Sequence, residues 1–398
     1  MLLHGLLAVL AATGAMAHPK VVDGRLEQRG LEDRAVVEER ELATRASTAT
    51  ACSYTITSYS TVASGVASKC NNLVLKAFTV PAGKALDLSG LATNTNVNMK
   101  GDITFASGTN WAGPLFVIKG TNVNFQGNGY TFNGNGQDYW DTKGSNGGVT
   151  KPKMAKISNS GSFRNAIFLN TPVQAISVGA TSPLTIAGVT IDNRAGNTLS
   201  GGSALGHNTD CFDVSASNVL IDSNKCYNQD DCLAINKGTN ITFSNNYCNG
   251  GHGISIGSIQ SDVVVKTVVI KGNAIVNNTN ALRIKTVYGA TNASVTDVTY
   301  KGNAASGTTT YGVDIQQDYE NGSPTGTATS GVKIKNVVFS GTNKIGMASS
   351  GKQAYVLCGS GTCTGFDFTG LCFTGGSKGS VSGVSSITGF TLGSQTCS

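Results

Sequence analysis

Four polar clusters carry the residue types of acid–base chemistry: Asn208-Thr-Asp210, Asp230-Asp231, Gly251-His252-Gly253 and Arg283-Ile-Lys285. Asp210 to Asp231 is 21 residues, Asp231 to His252 is again 21, and His252 to Arg283 is 31. In a chain that coils, each step is about one turn, so the clusters fall on one face of successive coils. Strands in such a stack lie about 4.8 Å apart, which puts Asp210 and Arg283, three coils apart, about 15 Å from each other. Three converging carboxylates cannot all ionise cheaply, so at least one holds a proton at mildly acidic pH. A protonated carboxyl beside ionised ones supplies the acid and the base of glycoside hydrolysis. Arg283 and Lys285 would offset the repulsion that an anionic substrate meets there.

Side-chain direction refines the picture. Asn208 with Asp210, and Arg283 with Lys285, are pairs two residues apart that point the same way from a strand. Asp230 and Asp231 are consecutive and would face opposite sides, so both reach the groove only where the chain bends, as at a turn-to-strand junction.

The elements that position these residues are short strands. Of 398 residues only 13% are charged and 7% aromatic, with 51 Gly and 7 Pro, while 39% are apolar. That excludes charge-driven disorder, and the glycines keep no collagen period. Brief β-branched runs followed by polar turns recur, as in 184–191, 218–222, 240–243, 268–272, 298–300 and 332–339, which argues for an all-β chain. Asparagines follow strands at 193, 224, 246, 273 and 303, in steps of 31, 22, 27 and 30. A period in this range marks a solenoid, and stacked asparagines form side-chain ladders. The expectation is a single right-handed parallel β-helix of about ten coils, with residues 54–69 as a short capping helix pinned between Cys52 and Cys70, since open solenoid ends need caps.

The N-terminus reads differently. Residues 1–17 have the apolar stretch and the small-residue Ala15-Met-Ala17 site of a secretory signal. Residues 18–45 hold six basic and seven acidic residues and no strand pattern, which suits a pro-segment removed after Arg45. Its loss leaves 23 basic and 16 acidic residues, a formal charge of +7, with only His207 and His252 as histidines. Residues 46–398 are then the catalytic domain. A basic surface steers polyanions, and export favours an acidic polysaccharide over nucleic acid. No later run is apolar enough to span a membrane.

All ten cysteines lie between Cys52 and Cys397, an even count that in an exported chain reads as five disulfides. No CxxC pair or histidine spacing suggests a metal site, so neither metal nor cofactor is expected. Two pairings fit the coil spacing, either 211–226 with 232–248 or 211–232 with 226–248. Asn240, Asn277 and Asn292 open glycosylation sequons. Gly127-Asn-Gly129 and Gly134-Asn-Gly136 complete no nucleotide-binding fingerprint and read as turns. Residues 138–141 read as packing, and His207 as a supporting hydrogen bond near Asp210.

The segments 206–210 (GHNTD), 228–232 (NQDDC), 250–258 (GGHGISIGS) and 283–285 (RIK) resemble the four signature motifs of the polygalacturonase family. Residues 316–323 (QQDYENGS) are similar to a segment of its fungal members. The resemblance implies a right-handed parallel β-helix that hydrolyses α-1,4 links of polygalacturonate with inversion and without a metal. It implies Asp230 as general acid, Asp210 and Asp231 as activators of water, and His252 as the group that tunes the acid. Asn208, Arg283, Lys285 and Tyr319 would bind substrate, the two cations through its carboxylate. It also implies the bonds Cys52–Cys70, Cys232–Cys248 and Cys358–Cys363, with Cys211–Cys226 and Cys372–Cys397 as the remaining pairs. Cys211 directly after Asp210 departs from the family pattern, and a bond there would rigidify Asp210. An endo-acting, monomeric, secreted enzyme is expected. Exo cleavage or a rhamnogalacturonan substrate on the same scaffold is the nearer alternative, and a non-enzymatic carbohydrate-binding solenoid the remoter one.

Overall fold

The computed structural model describes residues 52–108, 110–179 and 183–397, so the expected signal and pro-segment lie outside the described residues. Three strands make each central coil. One coil runs Phe212–Ser215, Val219–Asp222 and Lys225–Tyr227, and a later one runs Gly253–Ile259, Val264–Lys271 and Ala274–Val276. Every strand pairs in parallel with its counterpart one coil away, save two short antiparallel hairpins in outer loops. The third strands form an eleven-stranded sheet, so the solenoid is a right-handed parallel β-helix slightly longer than the ten coils expected. The handedness is the one that parallel crossovers adopt.

Period-two alternation builds the core. Val214, Ile235, Ile256, Ile284, Ile315 and Val356 are in-register partners of successive first strands and line one inward column. These residues are at most 1% exposed. At the N-terminal end Phe116, Phe125, Phe132, Phe163 and Phe168 stack inside, Phe125 and Phe163 with centroids 4.4 Å apart.

Asparagines hold the corner at the start of the third strand in five successive coils. Asn224 donates its backbone N–H and its Nδ2 to Asn246 Oδ1, both at 2.9 Å. Asn246 does the same to Asn273, Asn273 to Asn303, and Asn303 to Asn343. Asn193, expected in this column, stands elsewhere: it follows its third strand and bonds Thr171 at 2.7 and 2.8 Å. Its coil offers Val189 N–H to the ladder instead. Asn343 extends the series.

The N-terminal helix is shorter than its expected span. Ser53–Ile56 is a strand that pairs with Asn72–Leu75, and the helix is Val62–Ala67 after a 3-10 turn, Tyr59–Thr61. Tyr54-Thr-Ile56 has strand alternation, and pairing its backbone gains more than helix there. Cys52–Cys70 closes this cap. The other bonds are Cys211–Cys226, Cys232–Cys248, Cys358–Cys363 and Cys372–Cys397. Asn240, Asn277 and Asn292 are exposed with φ of +57, +54 and +53°, a left-handed turn conformation asparagine tolerates.

Asn273 is both donor and acceptor within a closed ladder and is 1% exposed. Asn273→Ala strands the Asn246 donors and the Asn303 and Phe243 acceptors. It should cost about 2–3 kcal/mol of unfolding free energy, read from the denaturant midpoint. An unchanged midpoint would mean the ladder adds no stability.

Candidate active site

The site lies on the first strands of four consecutive coils and on the turns that lead into them. Asp231 begins the strand Asp231–Ser244, with Asp230 just before it. The register slips between Asp231 and Leu233, so the bend the sequence demanded is present and both carboxylates face the groove. Arg283 and Lys285 point the same way from the strand Asn280–Val287, as expected. Asn208 and Asp210 are not a strand pair: both precede the strand Phe212–Ser215, and Asn208 has φ +52°. The glycines of the 250–258 motif have a steric cause. A Cβ on Gly251 would lie 2.0 Å from the Asp230 carbonyl oxygen, and one on Gly253 2.1 Å from that of Asn280. His252 is thus held in a turn whose flanks touch the coils on either side.

Asp231 is the most heavily bonded group. Arg283, two coils away, extends back over Ser255 and reaches Asp231 Oδ1 with Nη2 at 2.6 Å, while its Nε donates to Ser255 Oγ at 3.0 Å. Ser255 Oγ donates to the same carboxylate at 2.9 Å, and Lys285 Nζ to Oδ2 at 2.8 Å. Burial alone would raise this carboxyl, but Lys285 and Arg283 outweigh it and hold Asp231 well below the usual carboxylate range. Lys285 Nζ also sits 5.0 Å above the Tyr319 ring centroid, within cation–π reach.

Asp230 accepts from its neighbours on both oxygens. His252 Nδ1 is 3.0 Å from Oδ1, the Asp231 N–H donates to Oδ1 at 2.8 Å, and Asn208 Nδ2 donates to Oδ2 at 3.0 Å. Burial raises Asp230, yet the His252 contact holds it below its ordinary value. Burial likewise lowers His252, and Asp230 with Asp231 reverses that to a net rise. Asp210 goes the other way. Burial foremost, then Asp230, Asp213 and Asp231, push it well above the carboxylate range, and its Oδ1 has no hydrogen-bond partner. Of the three carboxyls Asp210 is thus the one pushed toward its protonated form, since Lys285 opposes burial only weakly there and no donor reaches its Oδ1.

These groups line a groove of about 480 Å³. Side-chain atoms of Asp230, Asp231 and His252 converge within 4.8 Å, the arrangement of a metal-binding triad. Arg283 and Lys285 already neutralise Asp231 there. Asn208 is a hub as well as a groove residue: its Oδ1 lies 2.8 Å from His207 Nδ1 and accepts from Ser145 N–H and Oγ at 3.1 Å. His207 thus supports Asn208 rather than Asp210 directly. Tyr139 and Trp140 are buried, with Trp140 Nε1 donating to Thr171 O at 3.1 Å, so the aromatic pair of 138–141 packs while Asp138 is exposed. The Cys211–Cys226 bond lies directly behind Asp210, at most 1% exposed.

Asp213 lines the groove and Ser255 bonds Asp231, and neither is among the site residues the motifs single out. Both signals were in the sequence, since Ser255 is two residues past Gly253 and Asp213 one past the inward Phe212. Asp213 is half-buried in the groove with its pKa pushed to about 7, by burial foremost, with Lys153 opposing.

A parallel β-helix with paired aspartates facing a cationic groove is the scaffold of a polysaccharide-acting protein. Residues 70–397 match the Glycosyl hydrolases family 28, and the chain belongs to that family. It is 47% identical over 336 residues to endopolygalacturonase B of Emericella nidulans, covering 82% of this chain and 89% of that one. Identity to a polygalacturonase of Fusarium fujikuroi is 46% over 338 residues, 81% and 89% of the two chains. Endopolygalacturonase I from Stereum purpureum, solved in complex with two galacturonates, superposes with TM-score 0.76 at 44% identity, over 83% of this chain and 96% of that one.

Gly144 has φ +55°, and a Cβ there would lie 2.4 Å from Asn208 Oδ1. Gly144→Ala should displace Asn208 from Asp230 and lower turnover about tenfold or more, with the fold retained by circular dichroism. Unchanged turnover would mean Asn208 does not position Asp230 for the reaction.

Proposed function

We infer that the chain is an endo-acting polygalacturonase that hydrolyses α-1,4-galacturonosyl links by an inverting acid–base reaction. The observation that carries the reading is the division of labour among three aspartates. Asp231 is fixed as an anion, Asp210 is protonatable, and Asp230 is held between Asn208 and His252.

Asp230 is the general acid. His252 shares a proton with it across their hydrogen bond, and a glycosidic oxygen arriving at Asp230 draws that proton onto the carboxyl. Asp230 then protonates the leaving oxygen as the bond from C1 breaks. Asp210 and Asp231 activate a water: Asp231 orients it, and Asp210, once ionised, takes its proton as the water oxygen attacks C1 from the opposite face. The products are a new reducing end and a new non-reducing end. Asp231 keeps its charge throughout because Arg283 and Lys285 compensate it. The faces of those cations that remain open to the groove meet a galacturonate carboxylate, and Tyr319 packs beside the same sugar. Asn208 serves the substrate by fixing Asp230.

Export follows from the leader reading: residues 1–17 are removed as a signal and 18–45 as a pro-segment, so N-terminal sequencing of secreted protein should begin at Ala46. Among the described residues no helix is long and apolar enough to cross a membrane. The mature enzyme acts as a monomer, glycosylated at Asn240, Asn277 and Asn292.

The test is a time course on polygalacturonate with a chelator present, following reducing ends, viscosity and unsaturated product. Reducing ends with a steep early loss of viscosity and no unsaturation are expected. Ends without viscosity loss would overturn endo cleavage, and no new ends would overturn the substrate. Asp230→Asn should lower kcat about a hundredfold or more with an unchanged melting profile.

The pH–rate profile should be bell-shaped. Asp210 must be ionised to take a proton, so its raised pKa sets the acid limb above that of an ordinary aspartate. The Asp230–His252 pair must hold a proton, so activity falls as pH rises through the pair's upper pKa. His252→Ala removes the proton source and should move the alkaline limb to lower pH. An unmoved limb would remove His252 from that role.

A further inference from the structure

Arg283 has a carboxylate residue on each side of it in the stack of coils. On one side is Asp231; on the other its in-register partner is Asp314, in the strand Tyr311–Glu320. Val313 and Ile315 point into the core, so Asp314 faces outward, on the floor column that runs Ser255, Arg283, Asp314, Tyr355. Asp314 is nonetheless 1% exposed. Its oxygens lie 3.1 and 3.2 Å from the Gln316 amide, oriented to donate, and among the described residues it forms no ion pair.

The titratable groups around it are Arg283 and Lys285 on the preceding coil, Tyr311 and Asp318 on its own strand, and Tyr355 on the next coil, with Tyr300 on a second strand. Burial foremost raises its pKa to about 7, with Arg283 and Lys285 opposing and Asp318 adding to the rise. The mechanism above gives Asp314 no part.

We propose that Asp314 sets the pH range over which Arg283 and Lys285 accept a substrate carboxylate. Uncharged, it leaves their field to the anionic sugar; ionised, it is a resident negative charge one strand from both cations and draws on the same field. Substrate affinity then weakens as pH rises through neutrality, separately from the proton transfers that set kcat. The proposal rests on the galacturonate reading and names a specificity residue one coil beyond Arg283 and Lys285.

Asp314→Asn keeps the shape and the Gln316 contact but cannot ionise. KM on polygalacturonate would be measured from mildly acidic to mildly alkaline pH. The Kd of an oligogalacturonate would be measured over the same range in an Asp230→Asn background, where no turnover limits the reading. At acid pH variant and wild type should agree. At alkaline pH KM and Kd should rise about fivefold or more with Asp314 present and stay flat without it, while the kcat profile keeps its limbs. An equal rise in both proteins, or in neither, overturns the proposal. Asp314→Val, uncharged and apolar, should behave as Asp314→Asn does, and serves if the amide variant fails to fold. Absence of wild-type turnover at every pH would overturn the functional reading itself, and the proposal with it.

Discussion

Asp231 closed between Arg283 and Lys285 is the contact on which the remainder of the site depends. Three aspartates in one cleft repel one another, and burial makes each more costly to ionise. Two cations reaching from two coils away remove that cost for one of the three. With Asp231 settled as an anion, the remaining charge falls on Asp230 and Asp210. His252 takes the first, and the second is left to hold a proton. Removing either cation would leave the buried Asp231 carboxylate half compensated and disturb all three.

The β-helix makes this contact possible because its register is rigid. Strand spacing fixes how far Arg283 must reach, and Ser255 on the intervening coil supplies a hydroxyl that touches both ends of the bridge. The internal asparagine ladder, from Asn224 to Asn343, keeps the coils from slipping along one another. A slip of one residue would turn the inward column outward and move Asp231 out of reach. Variation between coils is confined to outer loops. In-register residues such as Val214, Ile235, Ile256, Ile284 and Ile315 are separated by 21, 21, 28 and 31 residues, yet they stack in one line.

The sequence was read correctly where local pattern decides structure. Alternating β-branched runs gave the strands, the even cysteine count gave five bonds, and the one-coil spacing gave a common face for Asp231, His252 and Arg283. It misled where two local signals look alike. Asn193 and Asn224 both flank short strands, but one follows its strand and the other precedes it, and only the corner before the third strand feeds the ladder. Tyr54-Thr-Ile56 reads as the start of a helix along the chain because its partner strand, Asn72–Leu75, lies across a disulfide loop.

By itself the sequence determined the residue types, their order, and a repeat close enough to a coil to bring them onto one face. Only the tertiary structure decided what each group is bonded to, and hence its charge. Arg283 and Lys285 look free to meet substrate when read along the chain; folded, each already holds Asp231. Asn208 looks like a sugar contact; folded, its amide joins the Ser145 loop to Asp230. Asp314 carries no motif, and its neighbour Arg283 is 31 residues away in sequence but adjacent across the coils. Protonation depends on burial and on neighbours brought together by stacking, and neither is a property of the chain read in one dimension.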